Sequence, residues 1–217
     1  MKWVKWTALL IAVAAGMVFL GGCKNYAQIE DRNYVMCMGI DEAEGGLYVS
    51  YGFPDLKALT GSGDNIHYPS VTLFGENLEA VEAAFAAGSS RRLDYGQLQM
   101  IVFGRDLMSQ PGKMKEILEY IRQHQEFTRT VLVCMADGAA RDIVALDDIV
   151  NGSIGIYLRQ MFENNFSGNC LTIGDLVIGL SLEEEYQEIT VVSPESLGPR
   201  ITGSEKIRGY VWLLCEK

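Results

Sequence analysis

The cysteine at position 23 is the residue whose type and neighbours most clearly predict chemistry. It directly follows Leu20-Gly21-Gly22 at the end of an apolar run. A peptidase that cleaves before this residue must bring the backbone close to its catalytic groups, and the two glycines supply the small side chains that such an approach needs. The pattern is typical of an exported chain that is cut before a modified cysteine.

The segment that precedes Cys23 has the composition of a signal peptide. Two lysines open it, and the uncharged stretch Ala8–Leu20 follows. These 13 residues would span about 20 Å as a helix, less than the roughly 30 Å that a transmembrane helix crosses. We predict a lipoprotein signal peptide over residues 1–22 and a lipobox whose cysteine thiol takes a diacylglyceryl group. The alternative is an uncut anchor helix that begins near Trp3, and both hold an exported domain at a membrane.

The acidity of the chain limits its partners. The sequence has 18 basic and 28 acidic residues, and loss of the two signal-peptide lysines leaves 16 basic residues against 28 acidic ones, a formal charge of −12. Anionic lipid and nucleic acid repel such a body, so we predict no nucleic-acid partner. Attachment to the lipid bilayer would then come from the diacylglyceryl anchor, because two acyl chains suffice for stable anchoring.

Four further cysteines lie in the exported part, where an oxidising compartment permits disulfides. Cys37 and Cys134 stand inside the apolar runs VMCMGI and VLVCMA. A free cysteine packs there as a small hydrophobic residue, so we expect buried thiols at these two positions. Any disulfide among Cys37, Cys134, Cys170 and Cys215 stays open, because connectivity is not readable from sequence.

The sequence predicts no catalytic residue, no metal site and no cofactor. Its two histidines, His67 and His124, have no neighbouring ligand cluster, and no C-x-x-C spacing occurs. The sequence also has no phosphate loop, G-x-S-x-G elbow or H-E-x-x-H motif. An envelope hydrolase could use Asp41 and Glu44, but Asp, Glu and Gly are also expected in a turn between strands. The acids at 183–185 are interpreted as solvated surface.

The hydrophobic pattern predicts an α/β fold in which a central mixed sheet is packed with several amphipathic helices. Val131–Met135 lacks polar alternation, which is typical of a strand buried on both faces. Pro111 begins a helix whose i, i+3, i+4 and i+7 positions are Met114, Ile117, Leu118 and Ile121. Other strands are predicted at Tyr34–Ile40, Leu47–Phe53, His67–Phe74, Leu98–Phe103, Ile189–Val192 and Ile207–Cys215, and other helices at Asn77–Ala87, after Asp137, after Ser153 and at the capping box Thr172–Asp175.

The chain is predicted to consist of three segments. The signal peptide covers residues 1–22, and one domain covers residues 23–195. Over residues 196–217 we predict a linker and the first strand of an incomplete second domain. The linker is favoured by the stretch SPESLGPR, which contains two prolines and a glycine.

A series of motifs follows the lipobox in a fixed order. They are Gly39-Ile40-Asp41, Gly46-Leu47-Tyr48, Pro54, Arg92-Leu93-Asp94-Tyr95-Gly96-Gln97-Leu98, Ile101-Val102-Phe103-Gly104, Leu118-Glu119-Tyr120-Ile121-Arg122, Arg129 and Val131–Ala140. Together they resemble the Ger(x)C family, the lipoprotein C subunits of spore germinant receptors. The resemblance covers about residues 20–145 and is weaker from residue 186. This sequence departs from the family at Lys24-Asn25, where members commonly have Trp-Asp, and at Gln97, where they commonly have His.

The resemblance implies a role that is not enzymatic. Members of this family lie on the outer face of the spore inner membrane, assemble with two polytopic subunits of the A and B types, and are needed for nutrients to trigger germination. They are normally longer by two further domains, so the resemblance implies that this chain is a truncated or divergent member. The alternative class is an extracytoplasmic ligand-binding lipoprotein of a transporter, which shares the lipobox and the α/β composition.

Overall fold

The computed structural model describes residues 32–54, 70–150, 153–166, 170–179, 186–208 and 211–212, together with Trp3. The chain divides into two compact units, residues 1–31 and 32–217, and the elements named here belong to the second. The strands are β1 (Arg32–Tyr34), β2 (Cys37–Ala43), β3 (Gly46–Gly52), β4 (Val71–Gly75), β5 (Arg92–Asp94), β6 (Met100–Phe103), β7 (Leu132–Ala136), β8 (Tyr186–Glu195), β9 (Gly198–Arg208) and β10 (Val211–Trp212). The helices are α1 (Leu78–Gly88), α2 (Arg105–Met108), α3 (Pro111–Gln123), α4 (Ala140–Val144), α5 (Ile154–Phe166) and α6 (Ile173–Gly179).

The main sheet has eight strands in the order β10-β9-β8-β7-β6-β2-β3-β4. Its four central strands, β8, β7, β6 and β2, run parallel to one another. Antiparallel strands extend it on both sides, with β3 and β4 beyond β2, and β9 and β10 beyond β8. Two short strands, β1 and β5, pair separately in parallel. The prediction of a mixed α/β fold is therefore confirmed.

Helices cover both faces of the central strands, which explains the unbroken apolar runs of β6 and β7. Alternate side chains of a strand point to opposite faces, so a strand between two helical layers needs apolar residues throughout. Val133 and Met135 pack in the core that contains α1, α3 and α6. Cys134 lies between them in sequence and packs in the second core, with α4 and α5.

The starts of α1 and α6 follow the predicted capping residues, whereas at α5 the Ile154 amide donates to Asp147 Oδ1 and not to Ser153. Asn77 precedes α1, and its side-chain oxygen accepts a hydrogen bond from the Ala80 amide at 2.9 Å. At the start of α6, the Thr172 amide donates to Asp175 Oδ2 at 2.8 Å, and the Asp175 amide donates back to Thr172 Oγ1 at 3.3 Å. This reciprocal pair is a capping box, which satisfies amides that the first helical turn leaves free. Both predictions are confirmed.

The stretch that we predicted as a linker instead forms a hairpin. Pro194 in β8 lies opposite Pro199 in β9, Glu195 ends β8, and Ser196 and Leu197 make the turn between the two strands. Prolines are tolerated here because β8 pairs with β7 only at Val191–Val192, so Pro194 lies beyond that ladder and its missing N–H breaks no bond. The domain boundary after residue 195 stays a prediction.

The predicted loop over residues 55–67 and the first residues of the predicted strand His67–Phe74 lie outside the described part of the chain. The described strand, β4, begins at Val71. At the other end of the chain, the predicted run Ile207–Cys215 is divided between the end of β9 and β10, which pair antiparallel.

Candidate functional site

Several residues singled out in the sequence lie outside the described residues. They are Cys23, with its predicted lipid, and His67, Cys215 and the acids at 183–185. Lipidation at Cys23 therefore stays a prediction. The candidate functional surfaces described below belong to the domain that begins at residue 32.

Asp41 connects β2 to the first turn of α4. It is only 6% exposed, and its carboxylate accepts hydrogen bonds from the amides of Ala140 at 2.6 Å and Arg141 at 2.9 Å. Burial raises the pKa of Asp41 above its ordinary value, and the two amides partly oppose that shift. Glu44, its partner in the hydrolase hypothesis, is exposed in the turn after β2. The two carboxylates thus have unrelated surroundings, and Asp41 serves as a helix cap.

A polar network occupies the carboxyl edge of the parallel strands, the place where α/β proteins usually bind ligands. Arg105 follows β6, and its Nη2 lies 2.8 Å from Oδ1 of Asp137, which follows β7. Its Nη1 lies 3.9 Å from Glu205 Oε1 of β9. Ser193 Oγ of β8 donates to Asp137 Oδ2 at 3.3 Å. These polar groups bind one another and connect the ends of β6 and β7 to β8 and β9.

Three cysteines have free thiols in the described ranges. Cys37 and Cys134 are fully buried, as predicted, and burial raises the pKa of both thiols. Cys170 is partly exposed, and partial burial raises its pKa too. Because the thiolate is the reactive form, raised pKa values make these thiols poor nucleophiles near neutral pH.

A groove of about 470 Å³ lies between the β2–β3 turn, the first turn of α1 and the length of α3. We name it the acidic groove. Its lining residues include an apolar set and a set of glutamates. The apolar set is Leu47, Leu78, Ile117 and Tyr120, and the glutamates are Glu76, Glu79, Glu116 and Glu119.

Lys113 forms one end of the acidic groove and fixes α3 to the β2–β3 turn. Its Nζ donates to Glu42 Oε1 at 3.1 Å and to the carbonyl oxygens of Ala43 at 3.0 Å and Gly46 at 3.2 Å. An ammonium group has three donors, and all three have acceptors here. This lysine is therefore used in the fold and offers no free charge to a ligand.

Three tyrosines surround Glu82, which lies one turn beyond Glu79 on α1. The Tyr95 hydroxyl donates to Glu82 Oε1 at 2.8 Å, and it lies 3.3 Å from the Tyr51 hydroxyl. Tyr120 of the groove lies near Glu82, whose negative charge adds to the effect of burial in raising the pKa of the Tyr120 phenol. Burial raises the pKa of all three phenols, so they stay protonated and can donate. The network fixes α1 and α3 against the sheet.

An aromatic patch stands on the outer part of the sheet. Tyr48 of β3 and Phe74 of β4 are cross-strand neighbours whose rings meet edge-on at 5.5 Å, and both are partly exposed. The Arg141 guanidinium lies 5.7 Å from the centre of the Tyr48 ring. Aromatic residues and arginine are enriched at protein–protein interfaces.

Two further findings concern the described ranges alone. Within them, no helix is both long and apolar enough to cross a membrane. In the same ranges, His, Cys, Asp and Glu side chains do not form a group of three or more that could hold a metal ion.

Comparison with known proteins places the chain in a family. The family described as the spore germination protein N-terminal domain, of the GerAC type, matches residues 25–192. The crystal structure of the GerBC protein is similar at 19% identity and a TM-score of 0.41, over 82% of this chain and 50% of that one. This chain thus spans half the length of that structure, and no curated protein sequence matches it significantly. Since the family match covers well over half of its length, the chain belongs to the GerAC, or Ger(x)C, family of spore germination proteins.

Proposed function

We propose that this chain is the membrane-anchored lipoprotein subunit of a spore germinant receptor. In this role it binds polytopic subunits of the A and B types and is needed for nutrients to trigger germination. Its contribution is binding and not catalysis. The observation that carries the proposal is the match to the spore germination family over residues 25–192.

The sequence around Cys23 supports the membrane anchor. The family match begins at residue 25, two residues after the cysteine that we predict to be lipidated. A diacylglyceryl group on that cysteine would hold the domain on the outer face of the spore inner membrane. We also propose that residues 1–22 are removed as a signal peptide, that residues 23–195 form the first domain, and that a second domain begins in residues 196–217.

The surface of the domain supports a binding role. The charged groups at the carboxyl edge of the sheet bind one another, and Asp41 caps α4. The aromatic patch of Tyr48 and Phe74 is partly exposed, and the acidic groove opens beside α3. Exposed aromatic residues and concave surfaces of this kind are where protein partners bind.

The test is an in-frame deletion of the gene in the spore former that encodes it. Dipicolinate release after nutrient addition is measured and normalised to the total dipicolinate released by boiling. We expect slower or absent release with at least one nutrient, and restoration by the wild-type gene. Unchanged release with every nutrient tested would refute the receptor role.

A further inference from the structure

The acidic groove carries negative charge that the fold does not neutralise. Glu76, Glu79 and Glu116 make no ion pair with any described residue. The fourth glutamate, Glu119, is paired, since its Oε2 lies 2.6 Å from Arg122 Nη2. Lys113 is already bound by Glu42 and two carbonyl oxygens. Among the described residues, three carboxylates of the groove therefore have no ion-pair partner, on a chain whose net charge is −10.

The groove is also lined by apolar side chains. Leu47 from β3, Leu78 from α1 and Ile117 from α3 line the groove and are each less than 5% exposed. We call these three residues its apolar floor and its glutamates the rim. Lysine and arginine carry long apolar stems below their charged ends. A basic side chain could therefore place its stem on these residues while its charge reaches a rim glutamate.

The length of the groove favours a chain segment over a single small cation. Its lining residues on α3 extend from Lys113 to Gln123, ten residues further along the helix. At a rise of 1.5 Å per residue this is about 15 Å. Carboxylates stand on both sides of that length, Glu76 and Glu79 at α1 and Glu116 on α3.

We propose that the acidic groove docks a basic segment of a partner protein, with its lysine or arginine charges on Glu79 and Glu116 and its stems on the apolar floor. The inference rests on the partner-binding role proposed above and names the surface that would carry it. Charge complementarity of this kind steers association and makes it sensitive to salt.

The test uses the full chain in non-ionic detergent and the fluorescent peptide Lys-Ala-Ala-Lys-Ala-Ala-Lys, with binding followed by anisotropy at low salt. We expect the Glu79→Gln/Glu116→Gln variant to bind it about threefold to tenfold more weakly than wild type, because each exposed ion pair contributes modestly. The matched control is Glu126→Gln/Glu195→Gln, which removes the same charge from exposed positions outside the groove. This control should bind like wild type.

Four outcomes would overturn the proposal. The first is no binding of the peptide to wild type, and the second is equal weakening in the groove variant and the control. The third is equal binding of the peptide in which glutamate replaces lysine. The fourth is displacement of the peptide by N-acetyl-lysine amide at the same lysine concentration, which would assign the groove to a small organic cation.

Spores that carry the variants separate this proposal from the receptor role. Slow nutrient-triggered dipicolinate release in the Glu79→Gln/Glu116→Gln strain, with normal release in the control strain, supports docking at the groove. Normal release in both strains, beside a defect in the deletion strain, refutes the docking proposal alone. Normal release in the deletion strain refutes the receptor role. The peptide measurement alone then shows whether the groove binds a basic segment.

Discussion

At the residue scale, Asp41 joins three parts of the fold through one carboxylate. It lies on β2, binds the amides that begin α4, and lies close to the residue that follows β6. That residue is Gly104, where a Cβ atom would lie 2.2 Å from Asp41 Oδ1. The strand end and the helix cap can therefore coexist only because position 104 has no side chain.

The Gly104→Ala variant should lose about 1–3 kcal/mol of unfolding free energy, because the added methyl group overlaps the carboxylate. Urea denaturation of the single variants and of the double variant with Asp41→Ala measures the coupling. Asp41→Ala alone leaves two amides unbonded and should cost about 1–3 kcal/mol. In the Asp41→Ala background, Gly104→Ala should cost much less unfolding free energy, because the carboxylate that the methyl group would overlap is absent. Additive losses would show that the two residues act independently.

The pH dependence of stability should reveal the burial of Asp41. Burial holds its pKa in the folded chain above the unfolded value of about 3.9. The folded chain then binds this proton more tightly, so stability is lost as the pH rises from about 4 through the folded pKa. Asp41→Asn cannot titrate. The unfolding free energy of wild type should therefore exceed that of this variant by more below pH 4 than at pH 7.

Urea midpoints of both proteins across this pH range provide the measurement. Taking the difference between the two removes the contributions of the other titrating groups. An advantage that grows with pH would mean that the amides of Ala140 and Arg141 outweigh burial and lower the pKa.

At the element scale, Lys113 fixes α3 to the β2–β3 turn, and this contact can be tested with a neighbouring control. Lys113→Met keeps the length of the side chain and removes three hydrogen bonds, so it should cost about 1 kcal/mol of unfolding free energy. Lys115→Met removes the same charge from an exposed position two residues away and should cost almost nothing. Equal losses by chemical denaturation would show that Lys113 does not anchor the helix.

The elements that the sequence predicts best are those whose pattern is local. The buried stripe of α3, the Asn77 cap and the Thr172–Asp175 capping box depend on residues within one or two turns of each other, and all three are confirmed. The hairpin of β8 and β9 was missed because two prolines normally end strands. They are accommodated here since Pro194 lies beyond the part of β8 that pairs with β7.

The site features that the sequence did not predict all depend on distant pairs. Asp41 lies 99 residues before the amide of Ala140 that it caps, and Lys113 lies 71 residues after Glu42. The acidic groove exists only once α1 and α3 lie side by side. The sequence does show that Glu116 and Glu119 flank the buried Ile117 and Leu118 on α3. This pattern does not show that the glutamates at α1 lie on the other side of the groove.

At the scale of the whole molecule, the net negative charge of the chain opposes its attachment to an anionic membrane. The chain carries a net charge of −10, and an anionic lipid surface would repel it. The proposed attachment therefore depends on the acyl chains of Cys23. Both described core clusters consist of residues of the domain that begins at residue 32.

Replacement of this cysteine should accordingly separate location from folding. We expect Cys23→Ser to leave the membrane fraction while its thermal unfolding midpoint stays that of wild type. Cys170→Ser is the matched control, because it removes a partly exposed thiol elsewhere and should stay with the membrane. Fractionation is followed by immunoblotting in cells without the proposed A and B subunits, so that partners cannot hold the variant in place. Membrane retention of Cys23→Ser under these conditions would favour the uncut N-terminal helix over the lipid anchor.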